Sequence, residues 1–415
     1  MRVLISAYAC EPDRGGEPGV GWNWSFHNAR LGNDVVCLTL ALWRPSIESY
    51  LQDNPIPDLR FEYVEVPDWI EKFFDRGVAG VGFGRYIHYI AWQYAALRRA
   101  RTLSEADPFD VVHHVSFTSL QMGTSLSKLG VPLIFGPVGG GQFTLPQFRR
   151  YFSETWKNEL FRRVMSFVMM RLNPHARRAV KRSAMVLATN HETAELANRH
   201  GAKRVEIFVD TGLPESFLPA SRPPHERASV FRLLWVGRMM ERKGLRLVLE
   251  ALTHLPSDFA WQMTVLGDGR LGAKLPKWLD ELDLADHVHW PGSVPWSEVA
   301  EALRSHDAFV FCTLRDSFGS QFMEAMAYGL PIVCLDLSGA RSIIPDAAGI
   351  RINPDGPGDL PQRIASAIVE LATDGDRYET ASQAGFDFAS RQTWQRLVSE
   401  MQTYYSEIMT RTRDP

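Results

Sequence analysis

The sequence has no long apolar run and few cysteines. No stretch approaches the roughly 20 consecutive apolar residues of a membrane-spanning helix. The first residues, Met1 to Tyr8, form a strand-like pattern without the layout of a signal peptide. The four cysteines, Cys10, Cys37, Cys312 and Cys334, are far apart in the sequence. Their spacing predicts neither a zinc site nor a disulfide framework, and it is consistent with a reducing cytoplasm.

Charge is also modest overall. The chain has a net charge of −3, with 22% charged and 45% hydrophobic residues, which is typical of a globular protein. Its 415 residues are enough to form two domains, each with its own hydrophobic core. The charge is uneven, because Arg149 to Arg182 contains ten basic residues and only Glu154 and Glu159 as acids, a local +8 against −11 elsewhere. This asymmetry indicates an anionic surface or ligand near residues 149–182, whereas no nucleic-acid partner is predicted.

Strand-like and helix-like runs alternate along most of the chain. This alternation predicts an α/β protein whose parallel sheets carry helices on both faces. A proline-containing stretch at 215–228 is typical of a linker and divides the chain in two. The predicted strands are Val3–Ala7, Asp34–Thr39, Phe61–Val66, Asp110–Val115, Pro132–Phe135, Ala184–Ala188 and Val205–Val209 before the linker, and Arg232–Val236, Trp261–Leu266, His287–Trp290, Ala308–Cys312 and Pro331–Leu335 after it.

The most informative stretch runs from Asp316 to Asp336. An apolar strand leads into a glycine loop at Gly319, and a helix is predicted from about Ser320 to Tyr328. Such a loop presents free backbone N–H groups and the positive end of a helix dipole, where an anion binds favourably. Glu324 lies one turn inside that helix among apolar residues, so its charge should have a partner.

A second motif, Gly237-Arg-Met-Met-Glu-Arg-Lys-Gly244, directly follows a predicted strand. Arg238 offers a planar fork of donors and Lys243 a point charge, and both suit phosphate oxygens. Two basic residues in a loop are ordinarily just solvated. Their place in the same predicted sheet as Asp316 and Glu324 favours a binding role.

The acidic residue, the seven residues after it and the run Glu-Ala-Met-Ala-x-Gly-x-Pro-Ile-Val resemble the nucleotide-sugar motif of the retaining GT-B glycosyltransferases of group 1, glycosyltransferase family 4. The Gly-Arg-x(4)-Lys-Gly motif is similar to the diphosphate clamp of that family. The resemblance implies the GT-B fold, in which two Rossmann-like domains with parallel sheets face a central cleft. The first domain would comprise 1–214 plus 394–415, its last helix crossing back from the second domain, which would comprise 229–393.

The resemblance also implies roles for the motif residues. Glu324 would hold the ribose hydroxyls of the nucleotide, while Arg238 and Lys243 would neutralise the leaving diphosphate. Asp316 would contact the transferring sugar, although the family usually has a glutamate there, whose side chain is one methylene longer.

Glycine-rich loops follow several predicted strands. The loop with Gly15 and Gly16 lacks the Gly-x-Gly-x-x-Gly spacing of dinucleotide-binding proteins, and a turn that needs positive φ explains it equally well. Within the resemblance, however, this loop lies near the donor diphosphate and the acceptor. The other donor-side or nucleotide-binding candidates are Gly237, Gly267, Gly319 and Ser320, and the acceptor-side candidates are Gly139, Gly140 and Gly141.

Two adjacent histidines, His113 and His114, lie near the end of a predicted strand, so one points to each face of the sheet. A strand histidine is more often a core residue than a catalytic one. The family often has a histidine at this strand end that reaches the donor sugar, which makes both residues catalytic candidates. The sequence leaves open which of them serves.

Positions 148, 152, 156, 160, 164, 168 and 172 are Phe, Phe, Trp, Leu, Val, Val and Leu. This repeat of four predicts an apolar stripe on one helix. Two interpretations remain open. The stripe either packs on the first domain or lies on a membrane surface, because basic flanks with Trp, Phe and Leu are typical of interfacial helices.

The implied activity is that of a retaining, metal-independent hexosyltransferase. It would move a sugar from a nucleotide-sugar donor to a hydroxyl of a glycan or lipid-linked acceptor, for cell-surface polysaccharide or glycolipid synthesis. The protein would act in the cytoplasm or at the inner face of the cell membrane, with no cofactor beyond the nucleotide-diphosphate sugar, which is a substrate. Two alternatives are a GT-B enzyme that does not transfer, such as a sugar-nucleotide epimerase, and a catalytically idle nucleotide-sugar binder. The sugar, the base and the acceptor are not identified by the sequence.

Overall fold

The computed structural model describes residues 1–70, 83–225 and 228–413. The chain forms two compact units, which are described separately below. Unit 1 contains Met1–Gly141, Arg162–Gly212 and the chain from Trp394 onward, and unit 2 contains Gln142–Phe161 and Leu213–Thr393. Residues 226–227 of the predicted linker and 414–415 of the predicted first domain lie outside the described residues.

Each unit is built on one parallel sheet. Within the described ranges, unit 1 has seven strands in the order β3-β2-β1-β4-β5-β6-β7, and unit 2 has six in the order β10-β9-β8-β11-β12-β13. The strands are β1 (Arg2–Ala7), β2 (Asp34–Leu40), β3 (Leu59–Val64), β4 (Val111–Ser116), β5 (Leu133–Val138), β6 (Met185–Ala188), β7 (Val205–Ile207), β8 (Phe231–Val236), β9 (Trp261–Leu266), β10 (Val288–Gly292), β11 (Ala308–Val310), β12 (Ile332–Leu335) and β13 (Gly349–Ile352).

Helices connect the strands, as parallel pairing requires. They are α1 (Gly16–Arg30), α2 (Arg44–Asp53), α3 (Phe83–Ala106), α4 (Arg149–Phe152), α5 (Trp156–Leu172), α6 (Pro174–Arg182), α7 (His191–Arg199), α8 (Leu245–Leu252), α9 (Leu275–Glu281), α10 (Trp296–Ser305), α11 (Ser320–Ala327), α12 (Ser338–Ile343), α13 (Leu360–Thr373), α14 (Gly375–Ala389) and α15 (Trp394–Arg413).

The sheet of unit 1 is covered on both faces, which explains why its central strands are continuous apolar runs. One apolar layer contains Trp24 of α1 and Val398 of α15. The other contains Trp92 of α3 and Ala179 of α6. The predicted two-sided α/β architecture is therefore confirmed for this unit.

The strand orders define where a ligand is expected in each unit. In the first sheet, the connection after β1 leads toward the β3 edge, and the connection after β4 leads toward the β7 edge. In the second sheet, the connection after β8 leads toward the β10 edge, and the connection after β11 leads toward the β13 edge. Ligands of open α/β sheets bind outside the carboxyl ends of strands at such a switch point. Ligand sites are therefore expected at the loops after β1 and β4 in unit 1, and at the loops after β8 and β11 in unit 2.

The segment 142–161, which the sequence analysis assigned to the first domain, belongs to unit 2. Arg315 donates two hydrogen bonds to the Glu159 carboxylate at 2.9 and 3.0 Å, and Arg150 pairs with Glu250 at 3.0 Å. These ion pairs join distant parts of the chain, so the local composition contains no sign of them.

The described part of the predicted linker is packed rather than free. Phe217 is buried, and its carbonyl accepts a hydrogen bond from the Tyr328 hydroxyl at 3.0 Å. Arg222 donates to the Ser382 hydroxyl at 2.8 Å, which fastens the same stretch to unit 2. In unit 1, by contrast, α15 packs on α1, and Gln402 donates to Asn28 at 3.0 Å.

The predicted strands recur within a few residues of their expected ends, but β13 was missed. This strand is only four residues long, contains Arg351 and is half-buried at the edge of its sheet. A short, partly polar edge strand lacks the apolar run that made the other strands recognisable.

Candidate functional site

The loop between β8 and α8 carries the basic residues of the Gly237–Gly244 motif. Arg238 is exposed, whereas Lys243 is buried. Gly244 has φ of +72°, and a Cβ there would lie 1.9 Å from the Cys312 carbonyl oxygen. Glycine is therefore required, because the loop touches the backbone that follows β11. This close approach brings the two sequence motifs together.

Lys243 is paired with Asp316. Its Nζ donates to Oδ2 of Asp316, and Arg242 Nη1 and the backbone N–H of Ser317 each donate to Oδ1 at 3.1 Å. The Lys243 ammonium also lies 5.1 Å from the centre of the Phe311 ring. The side chains of Lys243 and Asp316 are only 7% and 10% exposed. The structure thus joins two residues that the sequence analysis assigned separately to the diphosphate and the sugar.

For both Asp316 and Lys243, burial and the charge of the partner residue shift the pKa in opposite directions. Burial alone would raise the pKa of the Asp316 carboxyl, but the charges of Lys243 and Arg242 outweigh it and hold that pKa below its usual range. Burial lowers the pKa of the Lys243 ammonium, and Asp316 acts in the opposite direction. An ion pair enclosed in this way depends on each partner remaining charged.

Glu324 lies on α11, one turn from its first residue, with a partly exposed side chain. Burial raises the pKa of its carboxyl to about 7, while a hydrogen bond with the Ser320 side chain and the charge of Lys243 act to lower it. The partner that the sequence analysis expected for this charge is therefore the Ser320 hydroxyl, with Lys243 close by. Gly319 precedes the helix with φ of +93°, a conformation that favours glycine.

A cavity of about 240 Å³ lies beside this cluster in unit 2. Gly267 has φ of +125°, and a Cβ there would lie 2.1 Å from the carbonyl oxygen of Gly237. Both predicted glycines therefore allow two loops to meet at the carboxyl ends of β8 and β9. The cavity is lined by Val236, Gly237, Arg238, Leu266, Gly267, Asp268, Ser293, Val294 and Val299.

In unit 1, the predicted glycine loop leads into α1. Gly15 and Gly16 are exposed, Gly16 has φ of +69°, and a Cβ at either position would meet open space. The next residue, Glu17, accepts a hydrogen bond from the Thr118 N–H at 2.9 Å. Burial raises the pKa of the Glu17 carboxyl, although hydrogen bonds from Thr118 and Ser116 act against it. This carboxyl group lies between the loops after β1 and β4.

The two histidines are fully buried in the middle of β4. His113 forms hydrogen bonds of 2.7 Å with the Tyr405 hydroxyl and with the Gly136 carbonyl. His114 contacts the Ser6 hydroxyl at 3.0 Å and the Tyr89 hydroxyl at 3.3 Å.

Burial lowers the pKa of His113 to about 3 and that of His114 to about 4. These features are typical of core histidines. The catalytic role remains a prediction that this geometry does not favour.

The backbone of the Gly139–Gly141 loop is engaged within unit 1. The Gly139 N–H donates to the Thr118 carbonyl at 3.1 Å, and the Gly141 N–H donates to the Thr193 hydroxyl at 3.0 Å. A Cβ on Gly141 would lie 2.2 Å from the Glu192 carbonyl oxygen. The glycines therefore serve close packing, and the amides of Gly139 and Gly141 are not open donors for an acceptor.

The predicted apolar stripe is interrupted. Phe152, which ends α4, is buried in unit 2, and Ser153 follows with φ of +36° before α5 begins. In the part of α5 that belongs to unit 1, the stripe residues Val164 and Leu172 are 59% and 73% exposed, and Val168 is half-buried. Phe167, which lies beside the stripe, is 66% exposed. Packing on the first domain does not describe Val164, Phe167 or Leu172.

This exposed face adjoins a strongly basic stretch. Between Arg162 and Arg182 the sequence has seven basic and no acidic residues. The Arg171 guanidinium lies 5.9 Å from the centre of the Phe167 ring. Across the described residues, none of the helices has both the length and the apolar character needed to cross a membrane.

Three features of these sites were missed. Arg242 was overlooked because the motif singles out only Arg238 and Lys243. Glu17 follows Gly16 directly, and an acid at the start of a helix after a glycine turn could have signalled it. The pairing of Arg315 with Glu159 across 156 residues had no local signal.

Two family models match the chain. The model described as "Glycosyl transferases group 1" matches residues 221–386, and the "Glycosyl transferase 4-like domain" matches residues 28–209. Together they cover most of both units.

Relatives that are named as glycosyltransferases agree with these matches. A D-inositol 3-phosphate glycosyltransferase of Paenarthrobacter aurescens is 26% identical over 73% of this chain and 74% of its own length. The amylovoran biosynthesis glycosyltransferase AmsK of Erwinia amylovora is 31% identical over 34% of this chain and 36% of its own length. Across the first relatives matched, the aligned region spans between 48% and 74% of their length.

The fold also matches solved structures. Anabaena HepE, crystallised with UDP, superposes with a TM-score of 0.65 at 14% identity, over 98% of this chain and 100% of HepE. At this identity the likeness establishes the fold. The group 1 model matches most of unit 2 and the 4-like model matches most of unit 1, so the chain resembles the group 1 glycosyltransferases and has the two parallel-sheet Rossmann-like units of the GT-B fold.

Proposed function

We propose that the chain transfers a hexosyl group from a nucleotide-diphosphate sugar to a hydroxyl group, with retention of anomeric configuration and without a metal ion. The observation that carries this proposal is the cluster outside the carboxyl ends of β8 and β11. There Arg238, Arg242 and Lys243 share one edge of unit 2 with the carboxyl groups of Asp316 and Glu324.

The donor side rests on this cluster and the cavity beside it. Cationic side chains in a partly enclosed site suit a diphosphate, and the cavity of about 240 Å³ has room for a nucleobase. Glu324 would accept hydrogen bonds from the ribose hydroxyls, as the family resemblance implies. The nucleotide in the HepE structure supports a uridine nucleotide as the first donor to test.

In the proposed reaction, the bond between the anomeric carbon and the phosphate oxygen breaks as the acceptor oxygen bonds to the same face of that carbon. The acceptor proton passes to the leaving diphosphate. Arg238 and Lys243 would stabilise the negative charge that develops on the diphosphate in the transition state. No side-chain base is required by this route.

The acceptor is proposed to be a glycan or a lipid-linked sugar. The named role of AmsK in amylovoran biosynthesis supports a cell-surface polysaccharide. The inositol phosphate named for the Paenarthrobacter relative supports a water-soluble acceptor instead. The protein would act in the cytoplasm, at the inner membrane face in the first case.

A panel of nucleotide-sugars, each with and without candidate acceptors, tests the reaction. We expect nucleoside diphosphate release that depends on an acceptor, a product with the donor's anomeric configuration by NMR, and no loss of activity with EDTA. Interconversion of the sugar-nucleotide without an acceptor would indicate an epimerase. Binding without any release would indicate an idle binder, and an inverted product would refute retention.

The membrane association is proposed on the exposed face formed by Val164, Phe167 and Leu172. Apolar side chains beside an acid-free basic run match the chemistry of an anionic lipid surface. We expect the protein to bind vesicles that contain anionic lipid at low salt. The double substitution Arg171→Glu with Arg178→Glu should weaken this binding at least about tenfold, since each basic residue contributes about 1 kcal/mol.

The matched control carries the same change of charge in unit 2, at the exposed Lys274 and Lys277. This Lys274→Glu, Lys277→Glu variant should bind vesicles as the wild type does. Equal losses in both variants would mean that only net charge matters. Transfer to a soluble acceptor by a protein that ignores anionic vesicles would refute the membrane proposal.

A further inference from the structure

Asp316 has few open positions left for a substrate. Its two oxygens accept hydrogen bonds from Lys243, Arg242 and the Ser317 N–H, and its side chain is 10% exposed. A carboxylate has about four acceptor positions in all. Three of them are used within unit 2, by donors on the loops that follow β8 and β11.

Lys243, in turn, depends on Asp316 for its charge. The ammonium is buried against the Phe311 ring and is also faced by Arg238 and Arg242. The charges of both arginines disfavour a third positive charge there and lower the pKa of Lys243.

Glu324 is a second carboxyl group whose charge interacts with that of Lys243. Burial raises the pKa of the Glu324 carboxyl to about 7. Asp316 is therefore the acidic group that remains ionised beside Lys243 through the neutral range. Arg315 is a further positive charge close to Asp316 and adds to the field around this pair.

We propose that Asp316 is a positioning residue for the transfer reaction, and that it acts by holding the buried Lys243 ammonium in place and in its charged form. This inference rests on the proposed function, because it assumes that Lys243 meets the diphosphate. It changes the role that the family motif implies for this position, from a contact with the sugar to a counter-ion for the clamp.

Substitution to asparagine separates the two roles. Without the carboxylate, Lys243 would lose its proton at lower pH, because burial and the neighbouring arginines then act unopposed. In Asp316→Asn the alkaline limb of kcat/KM for the donor should therefore move to lower pH by at least about one unit. At pH 6 the activity of the variant should approach that of the wild type. At pH 8.5 the ratio of variant to wild-type activity should be at least about tenfold lower than at pH 6.

Nucleoside diphosphate affinity, measured by calorimetry, should follow the same pH dependence. Asp316→Glu keeps the charge and should retain the alkaline limb near the wild-type position. If Asp316 contacts the sugar instead, Asp316→Asn would lower turnover by one factor at every pH and leave nucleoside diphosphate affinity unchanged. That result would overturn the inference.

A double-mutant cycle in stability covers the case in which Asp316→Asn folds poorly. In the Lys243→Met background no buried ammonium needs a counter-ion, so adding Asp316→Asn should cost little free energy of unfolding. An equal loss with and without Lys243 would overturn the inference.

The cycle does not depend on activity, so it also separates two kinds of failure. A wild-type protein that neither transfers sugar nor binds nucleoside diphosphate refutes the proposed function. The pairing of Asp316 with Lys243 is then still judged by unfolding.

Discussion

Glu324→Gln gives the sharpest test of the donor site, because it removes a charge that the structure keeps partly buried. Burial raises the pKa of the Glu324 carboxyl from an ordinary value of 4.5 to about 7. Glutamine keeps the size and one acceptor oxygen but cannot ionise. The variant should therefore change both the stability of the protein and its affinity for the nucleotide, each with a defined dependence on pH.

The stability effect follows from proton linkage. Below pH 4.5 the carboxyl is protonated in the folded and unfolded chains alike. Between that pH and about 7, the unfolded chain releases a proton that the folded chain retains, so the free energy of unfolding of the wild type falls as pH rises. Above pH 7 the loss is complete, and it amounts to at most about 3 kcal/mol before solvent screening of the partly exposed group reduces it.

Urea unfolding of the wild type and Glu324→Gln at pH 5 and pH 8 measures this effect. The variant should gain stability relative to the wild type by about 1–3 kcal/mol between the two pH values. Glu298 on α10 is exposed and gives a matched control, since Glu298→Gln should show no such gain. A difference between wild type and Glu324→Gln that is the same at both pH values would refute the reasoning.

Glu324→Gln should lower the affinity for the nucleotide at alkaline pH, although it raises the stability of the protein there. In the proposed donor complex the ionised carboxylate would accept hydrogen bonds from two ribose hydroxyls, and bonds to a charged group contribute about 1.5–3 kcal/mol. Wild-type affinity for the nucleoside diphosphate should thus exceed that of the variant about tenfold or more at pH 8, and much less at pH 6. The terminal phosphate of the ligand itself titrates near pH 6, so the informative quantity is the ratio between the two proteins.

Two further predictions concern the surroundings of this cluster. Arg238→Ala and Lys243→Ala should each lower turnover by a factor of about 100 or more, and near-normal turnover in both would remove the leaving-group role. In unfolding experiments, Lys243→Ala should also cost about 3 kcal/mol because it leaves Asp316 buried without that partner, whereas Arg238→Ala should be nearly neutral. Glu159→Gln breaks the ion pair with Arg315 and should speed limited proteolysis within 142–161, and unchanged cleavage there would contradict the assignment of this segment to unit 2.

Much of the fold could be predicted because it depends on local patterns. Apolar runs separated by helical periodicity gave the parallel sheets, since strands covered on both faces have no polar side. Glycines after predicted strands indicated the loops that contain positions 244 and 267, and the structure has positive φ at both glycines. The short strand β13 has no apolar run and was therefore not predicted. The ion pairs of Glu159 with Arg315 and of Arg150 with Glu250 join residues far apart in the sequence, so no local pattern indicates them.

The side-chain partners could not be predicted in the same way. Alternation along β4 required His113 and His114 to face opposite layers, and they do. It could not reveal that Tyr405, 292 residues away, would occupy one ring nitrogen of His113. Whether a polar residue is free for a substrate depends on such distant partners, which periodicity does not record.

The cluster around Lys243 shows why a motif can give positions without giving roles. The spacing of the two motifs correctly indicated that Lys243, Asp316 and Glu324 share one edge of a sheet. Opposite charges at that edge can each bind a ligand or can bind each other, and sequence spacing is the same in both cases. In the structure Asp316 and Lys243 bind each other, and Arg242 donates a further hydrogen bond to Asp316 at 3.1 Å. The motifs therefore identify where these residues lie, whereas their roles depend on which side chains reach one another.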